Sequence, residues 1–353
     1  MPPSFLPCCH GGLERGAGGL YSADPTRVSM IEGANVLITG GLGAIGSALS
    51  RTLLQRGVRS LTIIDDFSSS TPDVTLDIVR DPRVTHHRRS IVSDECLRHA
   101  FLERPQDIIF HLAANFAHQS SIEHPVTDCE VNSLGTAKIL EYARRAGVKK
   151  FVFASSSCVY GNARNYAVDN RDFNLDSPYA INKLHGEYLV GFYHEYHKMN
   201  TTVLRYFNSF GPGELPGKYR NVIPNFFVRA MRGLDLPITG DQSTSRDFNY
   251  VENTAQGTIL AAESPVSVGK VYNVGSGKEV TIVSLAEKIN AISGNTAGVT
   301  FHPQRSWDSI KSRCADISKT VADLGYRPVI DLDAQLEETY RWLQKNERYF
   351  PAI

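Results

Sequence analysis

The stretch "NVLITGGLGAIGSALSRTLLQRG", residues 35–57, decides the fold. Its opening five residues form a short apolar run of the kind buried on both faces of a parallel sheet. Glycines follow at 40, 43 and 46, and a helix is predicted over 46–56, stopped by Gly57. Strand, glycine turn and helix in that order make a dinucleotide cradle. Gly40 permits the tight turn and Gly43 lets the backbone approach a pyrophosphate. Gly46 lets the helix pack close to the strand, with the diphosphate at the helix N-terminus. Glycine spacing alone suits any tight strand-to-helix turn, so the end of the second strand carries the decision. It reads "IIDDF", and a carboxylate at Asp65 hydrogen-bonds both ribose hydroxyls of NAD while repelling a 2′-phosphate. The "SSS" that follows offers no arginine for NADP. NAD is the expected cofactor.

The same texture runs outward. "LTIID" (61–65), "DIIFHL" (107–112), "KFVFAS" (150–155) and "TTVLRYF" (201–207) are further buried-strand runs, and a helix is expected over 127–146, closed by Gly147. Such alternation predicts an α/β fold, a Rossmann-type doubly wound parallel sheet over 35–207. From 208 glycine and proline become frequent ("FGPGELPGKYRNVIP") and the rhythm stops. A smaller, discontinuous lobe over 208–353 is expected to cover the ligand edge, with some segments returning to the sheet. The first 34 residues lack periodicity, a basic start and a sustained apolar run, so a flexible extension without a secretory signal is expected.

Lys plus Arg equals Asp plus Glu at 37 each, which argues against a nucleic-acid or membrane-surface protein. No apolar run approaches the ~18 residues of a bilayer span. Six cysteines, at 8, 9, 96, 129, 158 and 314, have no disulfide-like spacing and fit a reducing, cytoplasmic setting. "CCH" at 8–10 has nothing nearby to complete a ligand set, and His111, His118 and His124 lack ligand spacing, so no metal is expected.

Catalytic chemistry enters with "SPYAINKLHGEY". Tyr179 and Lys183 are four apart and therefore on one face of a helix. A cation beside a phenol lowers its pKa and makes phenolate accessible. Ser156, in the strand-end stretch "ASSSCVYG" (154–161), lies 23 residues earlier. With "GGLGAIG", "FHLAA", "VNSLGT", "SSSCVYG", "YAINK", "RYFNSFGPG" and "SRDFNYVEN", the chain resembles the extended short-chain dehydrogenase/reductases of the nucleotide-sugar epimerase/dehydratase family, in its UDP-glucose 4-epimerase branch. The resemblance covers roughly 35 to 345.

That resemblance implies roles. Ser156 hydrogen-bonds the sugar, Tyr179 takes the 4-hydroxyl proton as hydride leaves C4 for NAD, and Lys183 binds the nicotinamide ribose. Ala44, Ile45, Ile91, Leu112, Ala113 and Ala114 join the glycines and Asp65 around the cofactor. Asn208, Arg246 and Arg305 contact the diphosphate of a nucleotide sugar, and Asp308 holds its ribose. Asn221 and Val222 line the nucleotide channel, Ser157 faces the substrate, and Asn115 and Phe116 shape the sugar pocket. Relatives of this kind dimerise through helices matching about 127–146 and 178–198, so a homodimer is expected.

The resemblance also sorts the chemistry that follows oxidation. Its 4,6-dehydratases carry an Asp-Glu pair where this chain has Ser157 and Cys158, and its decarboxylases carry Glu at the position of Cys158. A 4-epimerase needs neither acid, and C4 epimerisation of a nucleotide-linked hexose or hexuronate is the leading expectation. GDP-mannose 3,5-epimerases have Cys at the position of Cys158 and pair it with a loop lysine, here Lys218, so C3/C5 inversion is the close rival. A non-catalytic NAD sensor and a net keto-sugar oxidoreductase complete the alternatives, and the intact Ser156, Tyr179 and Lys183 argue against the sensor.

Overall fold

A computed structural model describes residues 29–116, 118–163, 166–170, 173–305 and 310–350. Most of the expected extension, including Cys8, Cys9 and His10, lies outside the described residues. Its last residues, 29–34, pack onto the domain. Ile31 is fully buried in the core, and Ser29 donates to Glu263 at 2.6 Å. The packed domain therefore includes residues ahead of 35.

Seven parallel strands form one sheet: β1 (Asn35–Thr39), β2 (Ser60–Ile64), β3 (Val84–His87), β4 (Ile108–His111), β5 (Lys150–Ser156), β6 (Thr201–Tyr206) and β7 (Lys270–Val274). Their order is β7-β6-β5-β4-β1-β2-β3. β1 pairs with both β2 and β4, so the winding reverses there, and a crevice opens beyond the carboxyl ends of the strands. Every residue of β2, β4, β5 and β6 is buried, which is why those runs read as continuously apolar.

Helices cover both faces. α1 (Ala44–Gln55) and α4 (Val251–Glu263) pack on one, where Leu49, Leu53, Ile259 and Ala262 join Val36, Ile38 and Leu204. α2 (Thr136–Arg145) and α3 (Pro178–His197) lie on the other, with Ile139, Leu140 and Val190 against Leu37, Ile109 and Phe153. A π-helical segment, Glu130–Gly135, leads into α2.

The second lobe has its own core of Phe226, Phe227, Leu236, Leu285, Ile289, Leu336 and Leu343. It comprises helices Val222–Met231, Ile282–Ser293 and Leu332–Lys345 with short paired strands between them. The chain leaves this lobe at α4 and β7 to complete the sheet, then returns. Among the described residues no helix is long and apolar enough to cross a membrane.

Candidate active site

The loops beyond β1, β2, β4, β5 and β6 meet the second lobe around one cavity of about 700 Å³. At its cofactor end, Gly40 has φ of +70°, and a Cβ there would lie 2.8 Å from the backbone of Ala113. A Cβ on Gly46 would lie 1.9 Å from the carbonyl oxygen of Gly40, so only glycine lets α1 start this close to the turn. A Cβ on Gly43 would meet nothing nearer than 3.5 Å, and Gly43 lines the cavity at the start of α1. Asp65 closes the far side: its two oxygens accept from the N–H groups of Leu42 and Phe67, each at 2.9 Å. Burial pushes its carboxyl pKa up, and those two donors pull it back. Bare helix N-terminus, glycine cradle and ribose-facing carboxylate fit NAD. Gly40, Gly43, Ala44, Ile45, Gly46, Asp65, Ile91, Leu112, Ala113 and Ala114 all line this cavity.

The reacting end is built by β5 and α3. β5 delivers Ser156, whose Oγ accepts from the backbone N–H of Cys158 at 3.1 Å. Ser177 caps α3 by accepting from Ala180 N–H, and Pro178 starts its first turn, which carries Tyr179. Lys183, one turn on, donates to the Ala154 carbonyl at 2.9 Å, with its ammonium 5.8 Å from the centre of the Tyr179 ring. Burial pushes the Tyr179 phenol up strongly, while a hydrogen bond with Ser156 favours its ionised form. Burial brings Lys183 down to about 8, against the opposing pull of Asp128.

Asp128 is itself buried and accepts from Asn132 and Asn182 at 2.9 and 2.7 Å. Asn132, in the π-helical segment, also exchanges two hydrogen bonds with the backbone of Asn115. The "VNSLGT" stretch thus fixes the loop after β4 and the base of α3 together. His111 is fully buried between the hydroxyls of Thr39 and Thr136, at 2.6 and 3.0 Å, and burial lowers its pKa to about 3. It is a neutral strut.

Ser157 and Asn208, just beyond β5 and β6, line the same cavity with Asn221, Val222, Arg246 and Arg305. Asn115, Phe116 and His118 line it too. Asn221 stands at the N-cap position of the helix Val222–Met231, and its side chain donates to Glu214 at 2.9 Å. Asp308 lies outside the described residues. Lys218 stands at the rim, 62 % exposed, with its ammonium 2.7 Å from Glu123. The cation at Cys158 is a different one: Nη1 of Arg313 donates to its Sγ at 3.5 Å. Sequence reasoning missed Arg313, and also Glu214 and Arg220, which line the cavity. Arg313 lies in "KSRCAD", a polar stretch without periodicity. "GPGELPGKYRN" carried a signal for the other two, since charged residues between glycines and prolines beside a ligand edge rarely serve a core.

A dinucleotide crevice that opens on a Ser–Tyr–Lys constellation defines a short-chain dehydrogenase/reductase, an enzyme that moves hydride at a carbinol carbon. The chain belongs to the NAD dependent epimerase/dehydratase family, whose model matches residues 36–275. It is 32% identical over 326 residues to a UDP-N-acetyl-alpha-D-glucosaminuronate decarboxylase of Bacillus cytotoxicus, covering 88% of this chain and 98% of that one. Among solved structures, an epimerase of Methanothermobacter thermautotrophicus superposes with a TM-score of 0.85 at 40% identity, covering 90% of this chain and 94% of that one. A UDP-N-acetylglucosamine 4-epimerase of Methanobrevibacter ruminantium, in complex with UDP-N-acetylmuramic acid, gives 0.83 at 33% identity, covering 89% and 99%.

Proposed function

We propose that this NAD-dependent enzyme is a nucleotide-sugar 4-epimerase that acts through a transient 4-keto sugar. The observation that carries the reading is the acid inventory of the cavity. Its described carboxylates are Asp65 and Asp66 at the cofactor end and Glu214, which Asn221 engages. None follows Ser156 at the end of β5, where Ser157 and Cys158 stand. Dehydration needs a second acid–base group beside the reacting carbons, whereas inversion at C4 needs one group that takes a proton and gives it back.

That group is Tyr179. Ionised to the phenolate, a form the Lys183 ammonium favours, it takes the 4-hydroxyl proton and becomes the phenol, with Ser156 holding the sugar oxygen. NAD, when bound, supplies the hydride acceptor and donor for C4. The low exposure of Tyr179 and Lys183, 7 % and 3 %, keeps water from the exchange. C3/C5 inversion through Cys158 and Lys218 gains no support from Lys218, whose ammonium is engaged by Glu123 at the rim. The substrate is a nucleoside diphosphate sugar, as in the relatives' names, gripped on the diphosphate by Arg246 and Arg305. The working form is a homodimer in the cytoplasm, a compartment that the unpaired cysteines among the described residues, Cys96, Cys129, Cys158 and Cys314, suit.

The test is NMR of UDP-sugars incubated with the enzyme in D₂O without added cofactor. A C4 epimer that retains its C4 hydrogen is the expected product, and Tyr179→Phe should lower its formation by about 10²–10⁴ while bound NAD is kept. Deuterium at C3 or C5, or an active Tyr179→Phe variant, overturns the reading.

A further inference from the structure

One cation in the cavity has no part in the proton relay. We propose that Arg313 reads a carboxylate at C6 of the sugar, so that the substrate is a nucleotide-linked hexuronate and not a neutral hexose; this rests on the C4 reading above. The Arg313 side chain is 6 % exposed and lines the cavity. Nη1 donates to Sγ of Cys158 at 3.5 Å and Nη2 to the Gly161 carbonyl at 3.3 Å, while Nε is buried without a partner.

A guanidinium brings five N–H donors, and its charge calls for an anion when it leaves water. Sulfur is a weak acceptor, and a carbonyl carries no charge. Among the described residues no carboxylate pairs with Arg313. A polar side chain this deep, facing a ligand cavity with an idle donor, is shaped for a charge that the ligand brings.

Position selects which part of the ligand. The Cys158 N–H bonds Ser156 Oγ at 3.1 Å, and Ser156 and Tyr179 line the same cavity. Arg313 therefore stands one residue beyond the point where C4 reacts. On a pyranose ring the groups that near to C4 are the C3 substituent and the exocyclic C6. A C3 hydroxyl leaves the guanidinium uncompensated. A C6 carboxylate neutralises it and offers two oxygens to its planar fork.

The experiment compares UDP, UDP-glucuronate and UDP-glucose on the NAD-loaded enzyme by titration calorimetry, with NMR of the products. Wild type is expected to bind the glucuronate more tightly than the glucose by on the order of 10- to 100-fold. In Arg313→Met that ratio falls to near unity, in Arg313→Lys it is partly restored, and affinity for UDP alone changes by less than about 3-fold. Equal binding of the two sugars by wild type overturns the proposal, as does a ratio that survives in Arg313→Met. Loss of UDP affinity in both variants assigns Arg313 to the diphosphate and overturns it too. Retained bound NAD and an unchanged circular dichroism spectrum show that the variants fold. A preference for the uronate without C4 inversion of either sugar sinks the proton-relay reading and leaves the assignment of Arg313 standing.

Discussion

At the scale of single residues, burial sets the chemistry. Tyr179 and Lys183 sit where desolvation disfavours both charged forms, so each needs the other, and the Ala154 carbonyl holds the lysine in place. Glu214 shows the same force, which the nearby charge of Arg220 only partly offsets. One of its oxygens accepts from Asn221 and the other is buried and unpaired. Burial raises its pKa from 4.5 to about 7. A carboxyl raised in the folded state adds stability below its unfolded pKa, and that stability is lost as pH climbs towards 7. Glu214→Gln removes the titration. The variant should therefore gain on wild type between pH 5 and pH 8, by about 1–3 kcal/mol, read as a growing difference in Tm. A difference that stays flat across that range overturns the assignment. The spacing of Gly40, Gly43 and Gly46 and of Tyr179 and Lys183 was legible in the sequence because each set spans one turn or one helix face. Arg313 was not, since it meets Cys158 across 155 residues and only the folded chain makes them neighbours.

At the scale of elements, the strands buried on both faces announced themselves as apolar runs, and the structure departs from those expectations by a residue or two. β3 and β7 did not. β3, "VTHH", is a four-residue edge strand with every residue only half-buried, and its histidines break the apolar texture. β7, "KVYNV", follows the excursion into the second lobe, where local rhythm no longer tells which sheet a strand joins. The helix expected from 127 starts at Pro125 and passes through the π-helical segment, a backbone choice that hydrophobic periodicity does not report.

What sets α3 against the sheet is a buried ion pair. Arg205 of β6 is fully buried and meets Glu187 of α3 at 2.9 and 2.7 Å. Ser155 of β5 donates to the same carboxylate at 2.6 Å. The strand that carries Ser156 and the helix that carries Tyr179 are thereby locked together. Glu187→Gln leaves the Arg205 charge buried and unpaired, a loss of about 3–5 kcal/mol that should appear as a lower Tm. Glu187→Leu with Arg205→Met removes both charges and should recover most of it. A single variant as stable as wild type shows that the pair does not hold the two elements together.

At the scale of the whole molecule, one helix serves two purposes. The buried side of α3 bears Tyr179 and Lys183, while Ile181, Tyr188, Phe192 and Tyr196 stand 51, 65, 52 and 72 % exposed. Their spacing of seven, four and four makes one stripe along the helix. Val126 and Leu134, 71 and 48 % exposed, lie on the neighbouring helical stretch that leads into α2. Isolated apolar side chains on a surface need no explanation, but a continuous stripe across two adjacent helices does. A second copy turned about a two-fold axis would lay the same stripe on itself and form a four-helix arrangement. Size-exclusion chromatography with light scattering should therefore give twice the chain mass at micromolar concentration. Tyr188→Glu combined with Phe192→Lys should give a monomer, because two charges would be buried at the centre of the contact. Since the stripe shares its helix with Tyr179, the monomer should also turn over more slowly, with the loss growing as temperature rises and the unsupported helix loosens. A wild-type monomer at that concentration ends the proposal; a dimeric double variant moves the interface elsewhere.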